Sequence, residues 1–258
     1  MSLGSKFLLI VCSFGVFLDT VAAKSLPLPP FIKACSRNDP KLNECAVKHG
    51  REALPYVVQG NPQVKIPPLD PLFIPEVRVD QTGSGGGAVG AVLTSRDITV
   101  TGLKDTIFER ANLDLKNRRV DSWYTIPRLE IISKYEIKGR ILVLPIEGKG
   151  DANFTLVGNK LYHWFTYDLV QRDGETFTSL TGEDLTVNAS RAYFHLTNLF
   201  NGDKLLGDNM NKFLNDNWND VLQEIGPDIV VAVRKIMEVL VRGVMNAFSY
   251  DTIFPEKV

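Results

Sequence analysis

The chain has 258 residues, with 29 Lys and Arg against 30 Asp and Glu and a formal net charge of -1. No basic stripe stands behind that balance, so the phosphate neutralisation that drives nucleic-acid binding is missing and no nucleic-acid partner is expected. Hydrophobic residues make up 44% of the sequence and no low-complexity linker divides it, which favours one continuous core.

Residues 1–23 read as a removable secretion signal. Lys6 supplies the positive flank, Phe7 to Leu18 the apolar stretch, and Val21-Ala22-Ala23 the small residues a signal peptidase needs. The apolar stretch is shorter than the roughly 20 residues that span a bilayer. The competing assignment, a buried N-terminal helix, fits poorly with the Leu26-Pro27-Leu28-Pro29-Pro30 run that follows. Further on, Ile229 to Phe248 is apolar but carries Arg234, Lys235, Glu238 and Arg242, so no stable membrane insertion is expected. Residues 24–258 are therefore expected to form one secreted, extracellular domain.

Cys12 leaves with the signal, and Cys35 and Cys45 remain as an even pair in an oxidising compartment, where they should form a disulfide. The short loop it closes implies a chain-entropy contribution on the order of 2 to 3 kcal/mol. A metal site is the alternative, but two thiols with only His49 nearby fall short of the four ligands structural zinc takes. Asn153-Phe154-Thr155 and Asn188-Ala189-Ser190 match the N-glycosylation acceptor pattern, which would place Asn153 and Asn188 at solvent.

In chain order, Asp39 before Pro40 starts a short helix with Leu42, Cys45, Ala46 and His49 on one face. Pro62, Pro67 and Pro68 keep Gly60 to Asp70 extended. From there to about Leu199 the pattern has mostly period two. Val77 and Val79 alternate with Glu76, Arg78 and Asp80, and Ile98 and Val100 with Asp97, Thr99 and Thr101, as in half-exposed antiparallel strands. Lys134, Glu136, Lys138 and Arg140 face water, with Tyr135, Ile137 and Gly139 inward. Ile141 to Ile146 is apolar on both faces and reads as a strand covered on both sides. Further strands are expected at Leu113 to Val120, Asn153 to Val157, Tyr162 to Val170 and Ala192 to Leu196.

The C-terminal region switches to helical period after a cap at Asp208, with Met210, Phe213, Leu214, Trp218, Val221, Leu222 and Ile225 in one stripe. Gly226-Pro227 ends or kinks that helix. A second, from about Pro227 to Phe248, is apolar around most of its circumference, which predicts a mostly buried rod about 33 Å long. Arg234, Glu238 and Arg242 brace its polar strip at i, i+4 spacing. Only the strands between Val77 and Leu196, curved around it, can cover such a helix.

Catalytic patterns are not assembled. Gly85-Gly86-Gly87-Ala88-Val89-Gly90 matches the dinucleotide fingerprint, but that motif needs a following helix and Ala91 to Thr101 reads as strand, leaving a glycine turn. There is no G-x-S-x-G or H-E-x-x-H, and His49, His163 and His195 lack a paired ligand or nucleophile pattern. Asp168, Glu183 and Asp184 are read as solvated charges. No enzyme activity, cofactor or metal is expected, and the apolar interior is either filled or left as a cavity.

The C-terminal third carries a resemblance. Asn198-Leu199-Phe200-Asn201-Gly202-Asp203-Lys204, Leu206-Gly207-Asp208 and Phe213-Leu214-Asn215-Asp216-Asn217-Trp218, continuing through Pro227 to Tyr250-Asp251 and Ile253-Phe254-Pro255, resemble the takeout and juvenile-hormone-binding family of insects. The Cys35–Cys45 pair, Leu69-Asp70-Pro71-Leu72, Gly102-Leu103 and the run from Tyr135 through Gly139-Arg140 to Gly148-Lys149-Gly150 look like the same family's landmarks. The resemblance covers nearly all of residues 24–258. It implies an α+β, TULIP-like tubular fold: a strongly curved antiparallel β-sheet wrapped around a long C-terminal α-helix, with an internal apolar cavity for a terpenoid, juvenile-hormone-like or fatty-acid-like ligand. Moth juvenile hormone carriers have a further cysteine pair, so this sequence looks more like the takeout branch, whose members are associated with feeding, circadian output and chemosensory tissue.

On that basis the expected partners are a small apolar ligand and an unidentified receptor, and the chain is expected to act as a monomer. The expected lining is Val77, Val79, Ile98, Val100, Tyr135, Ile137, Ile141, Phe194 and Leu196 from strands and Val233, Met237, Leu240 and Val244 from the helix, with Tyr135 offering a hydroxyl to the ligand's polar end. Plain core packing is the alternative for each residue. The rival classes are a secreted lipid-transfer or membrane-active protein and a ligand-free interaction protein.

Overall fold

The computed structural model describes residues 24–62, 66–80, 89–141 and 144–258. The expected secretion signal and the glycine run as far as Ala88 lie outside the described residues. The elements in order are α1 (Leu42–Val57), β1 (Leu72–Asp80), β2 (Val89–Thr101), β3 (Ile107–Asp114), β4 (Arg119–Ile141), β5 (Leu144–Arg172), β6 (Glu175–Asn188), β7 (Arg191–Leu196), α2 (Lys204–Asp216), α3 (Trp218–Ala247) and α4 (Tyr250–Ile253). The strands form one sheet in the order β1-β2-β4-β5-β6, with β3 also on β4 and β7 also on β5, every pairing antiparallel.

The 29 residues of β5 would extend about 95 Å if straight, twice the roughly 45 Å of the 30-residue α3. The sheet therefore curves, and α3 touches β6 and β7 on one side and β1 and β2 on the other. Irregularities aid the curvature. Asp97, at φ 51, sits in the register shift of β2 between Arg96 and Thr99.

A second irregularity keeps the inward face inward along both long strands. Pro127 of β4 and Gly158 of β5 (φ 63) form no pair, although Ile126–Asn159 and Arg128–Val157 flank them in unbroken register. Across this point the phase of burial switches. Ser122 and Ile126 are buried before it in β4, and Ser133, Tyr135, Ile137 and Ile141 after it; in β5 Ile146 and Ala152 give way to Asn159, His163 and Tyr167. The positive-φ Gly158 lies where the parity of the inward-facing residues changes in both strands.

The alternation over Lys134 to Arg140 is as expected, and β2 and β7 fall where strands are expected. Other boundaries differ. Leu113 to Val120 is the β3–β4 hairpin, turned by Asp114 Oδ1 accepting from the Asn117 amide at 2.9 Å and by Arg118 at φ 55. Ile141 to Ile146 is not a doubly covered strand, because Ile141 pairs with Leu144 across the β4–β5 hairpin. The two expected strands over 153–170 are one.

The helices also start and stop elsewhere. Asp203, not Asp208, caps α2, accepting from the Leu206 amide at 3.0 Å, while Asp208 lies inside the helix and pairs with Lys204. The break falls at Asn217, whose side-chain amide donates to the Phe213 carbonyl at 2.8 Å. Pro227 lies exposed inside α3, and the helix runs through it without the N–H that proline lacks, anchored on its N-terminal side by Leu222 and Ile225 against the first core cluster.

The family landmarks meet in space. Asp70 Oδ2 accepts from the backbone amides of Gly102 at 3.0 Å and Lys104 at 2.8 Å. A Cβ at Gly102 (φ 102) would lie 2.1 Å from the Arg128 carbonyl oxygen. The tail holds the N-terminal segment: Arg37 pairs with Asp251 at 2.6 Å and lies over the Tyr250 ring. Cys35 and Cys45 form the expected disulfide.

Candidate functional site

The interior of the sheet is packed at its ends. One cluster gathers Tyr135, Ile137, Ile141, Phe194 and Leu196 against Met210 and Leu214 of α2 and Val221 of α3. A second joins Tyr167 and Leu180 to Met245 and Tyr250, and a third centres on Ile66 and Phe248. Between Val221 and Met245, no described side chain of α3 is fully buried. This departs from the expected mostly buried rod: Val231 and Val239 face solvent, and Val230, Val233, Ile236 and Met237 are half-buried and belong to none of the three clusters.

The expected lining residues thus divide. Tyr135, Ile137, Ile141, Phe194 and Leu196 are the close-packed heart of the first cluster. Val79 and Ile98 are buried, whereas Val77 and Val100 are half-buried. Leu240 and Val244 lean on the third cluster, and Val233 and Met237 stand apart. The Tyr135 hydroxyl is already committed, donating to the Thr197 carbonyl at 2.6 Å. Gly148 and Gly150 make room for it, since a Cβ at Gly148 would come within 2.6 Å of that hydroxyl and one at Gly150 within 2.6 Å of the Thr197 oxygen. Burial pushes its pKa up to about 12, so it stays a donor to the backbone.

Glu183 is not the solvated charge expected from sequence. It is nearly buried, and its Oε2 lies 3.4 Å from Nε2 of His163, which is 1% exposed and touches Phe165. Sequence reasoning missed this pair because the register that sets β6 beside β5 is tertiary. The Ser122 hydroxyl donates to the His163 backbone oxygen at 3.1 Å rather than to its ring, so the hydroxyl is turned away from a base. Asp184 lies 3.8 Å from Arg234, and Asp168 pairs with Arg118 at 2.8 Å.

Desolvation holds the His163 imidazole below its ordinary value, with the hydrogen bond to Glu183 opposing less strongly. The folded protein therefore keeps His163 neutral while the unfolded chain takes up its proton near pH 6.5. This part of the stability is complete above about pH 6.5 and is lost as pH falls below it, by at most about 1.4 kcal/mol per pH unit for one proton. His163→Gln is expected to flatten the fall in urea midpoint between pH 7.5 and 5.5. An equal fall in wild type and variant would assign the effect elsewhere.

Where α3 meets β6, a cleft of about 220 Å³ is lined by Leu180, Thr181, Gly182, Glu183, Arg234, Glu238 and Arg242. Arg242 Nε donates to Glu238 Oε1 at 2.8 Å, as the i, i+4 spacing requires, while Arg234 turns to Asp184 across the seam. At the N-terminal end His49 Nδ1 lies 3.4 Å from Cys35 Sγ and 3.6 Å from Cys45 Sγ. The disulfide has consumed both thiolates that a metal would need.

Sequence reasoning also missed a polar clasp. Asn211 Oδ1 and Nδ2 bond the Leu196 amide and carbonyl at 2.8 and 2.9 Å, and Asn215 does the same for Phe194 at 3.0 and 2.7 Å. Two amides one helical turn apart thereby satisfy the edge of β7 that β5 leaves open. The i, i+4 asparagines were the visible cue.

The sequence model described as Haemolymph juvenile hormone binding protein (JHBP) matches residues 7–255. The circadian clock-controlled protein daywake of Drosophila melanogaster is 25% identical over 194 residues, covering 73% of this chain and 72% of that protein. Daywake of Drosophila yakuba is 24% identical over the same span. Among solved structures, Takeout 1 of Epiphyas postvittana superposes with a TM-score of 0.77 at 26% identity, covering 87% of this chain and 100% of that one. A sheet curved about a long helix, with this match over nearly the whole chain, makes the protein a member of the takeout and haemolymph juvenile-hormone-binding family.

Proposed function

We propose that this chain is a secreted carrier that holds a small apolar molecule between the curved sheet and the middle of α3. The observation that carries the reading is the state of that helix: an apolar rod with no fully buried described side chain from residue 222 to residue 244, set between three separately packed clusters. Natural cores pack to crystal-like density, and side chains left half-open inside a curved sheet are what a ligand would cover. The lining is assigned to Val233 and Met237 of α3 with Val77 and Val100 of β1 and β2. The expected lining residues of the first cluster act as packed walls.

Each Å² of apolar surface removed from water contributes roughly 25 cal/mol, so an elongated terpenoid or fatty-acid-like ligand binds with few polar contacts. The family's description, which names juvenile hormone, and the clock-controlled relatives support this ligand class and a hormonal or circadian setting. Residues 1–23 and the disulfide support export. No helix among the described residues is long and apolar enough to cross a membrane.

Native mass spectrometry of the full chain purified from the medium of insect cells, followed by solvent extraction, tests the carrier reading. The expected result is a bound apolar molecule, or uptake of a long-chain fluorescent fatty acid by protein stripped of it. A stripped protein that takes up neither that probe nor a terpenoid overturns it.

A further inference from the structure

The outer face of the sheet carries a cross-strand row in which exposed apolar side chains, Phe73 and Ile132, stand beside one potential modification site, Asn153. Phe73 of β1 pairs with Thr99, Thr99 with Ile132, Ile132 with Asn153 and Asn153 with His195, so these five side chains share the outer face across five strands. Phe73 is 59% exposed and Ile132 52%, and Asn153 and His195 also stand in solvent. One step along the same face, Tyr193 is 49% exposed and diagonal to Asn153. Ion pairs flank the row on both sides, Lys134 with Asp151 and Arg128 with Glu130, leaving Ile132, Tyr193 and Phe73 as apolar surface that no side chain covers fully.

We propose that Asn153 is N-glycosylated and that the innermost sugars of its glycan cover Ile132 and Tyr193. Cross-strand neighbours stand about 5 Å apart, and diagonal ones lie within reach of large side chains, so the first N-acetylglucosamine is held directly over this surface. A pyranose ring offers one face of C–H groups that packs on aliphatic and aromatic side chains, while its hydroxyls remain in water. The inference rests on the secretion reading above. Asn188 supplies the contrast. It closes β6 opposite the charged Lys160, outside the Phe73–His195 row, so a glycan there is an appendage in water.

The occupant is argued from the acceptor asparagine itself, which lies between Ile132 and His195 with its side chain outward. The Thr155 hydroxyl completing the acceptor triplet is tucked beneath Arg128, so the transfer takes place on the growing chain before β5 closes. Pairing of two copies through the same bare face is the competing arrangement, and the test below separates them.

The test uses the full chain, including residues 1–23, produced in insect cells. Glycopeptide mapping of the secreted protein reads occupancy, light scattering reads the monomer fraction, and a solvatochromic dye reads exposed apolar surface. Asn153 is expected to carry glycan. Asn153→Gln is expected to raise dye binding several-fold and lower the monomer fraction, with Ile132→Thr and Tyr193→Thr in the same chain restoring both, whereas Asn188→Gln behaves as wild type. Enzymatic removal of glycan from the folded wild-type protein gives the same readout should Asn153→Gln fail to fold. A secreted chain with bare Asn153 overturns the proposal alone, as does a deglycosylated protein with unchanged dye binding and monomer fraction. A chain retained in the cell with residues 1–23 attached overturns the secretion reading and this proposal with it.

Discussion

Met237→Trp is expected to lower uptake of an apolar probe at least tenfold while leaving the urea midpoint close to that of wild type. Met237 is half-buried on α3 and belongs to no packed cluster. If the ligand sits there as proposed, an indole takes its space, so the overpacking cost of about 1 to 3 kcal/mol seen in dense cores is largely avoided. Ile137→Trp is the control. Ile137 is 5% exposed in the first cluster, against Tyr135 and Ile141, and an indole forced among them is expected to unfold the protein or lower its midpoint sharply. Fluorescence titration of a long-chain probe, with urea denaturation on the same samples, separates the outcomes. Unchanged uptake in Met237→Trp would place the ligand elsewhere, and equal loss of stability in both variants would make Met237 ordinary core.

Asn215→Ala is expected to destabilise the fold by about 2 to 4 kcal/mol, because it leaves the amide and the carbonyl of Phe194 without partners and each such group costs about 1 to 3 kcal/mol. Phe194 is 7% exposed and lies between Phe154 and the α2 side chains, so water cannot fully replace the lost bonds. Asn215 also ties α2 to itself through the Asn211 carbonyl at 2.7 Å, and Arg191 donates to the Asn215 carbonyl at 2.9 Å. Asn215→Asp keeps the acceptor and loses the donor, so its midpoint should fall between alanine and wild type. Asn211→Ala should lose a similar amount through Leu196. If Asn215→Ala costs less than about 0.5 kcal/mol, within the ordinary range for a surface change, the clasp contributes nothing to stability.

Local chemistry was legible along the chain. Alternation over Lys134 to Arg140 assigned the inward face of β4, and helical period identified both C-terminal helices. Boundaries were less legible wherever two signals competed. Asp208 and Asp203 are both plausible caps by residue type, and only Asp203 meets a free amide. Pro227 is a strong breaker in isolation, yet α3 runs through it, with Leu222 and Ile225 just before it held against the first cluster. The apolar run Ile141 to Ile146 reads as one strand because it carries none of the Gly, Asn or Asp that mark a hairpin, yet Ile141 pairs with Leu144.

The candidate site divides along the same line. The residue types of the lining could be named from periodicity because an inward strand face and an apolar helix are one-dimensional patterns. Core and cavity wall have the same composition, so only the packed coordinates separate Ile137 and Phe194, locked in a cluster, from Val233 and Met237, which stand half-open. The His163–Glu183 pair, the Tyr135 bond across Gly148 and Gly150, and the clasp of Asn211 and Asn215 on β7 all depend on which distant segments meet. The sequence alone determined the pairing of Cys35 with Cys45, a strand-rich middle followed by C-terminal helices, and the family that their landmarks imply, but not β6 or the limits of β3, β4 and β5. The tertiary structure decided which inward side chains pack into clusters and which stay half-buried, because strand register and curvature are set by contacts between residues far apart in the chain and leave no periodic trace along it.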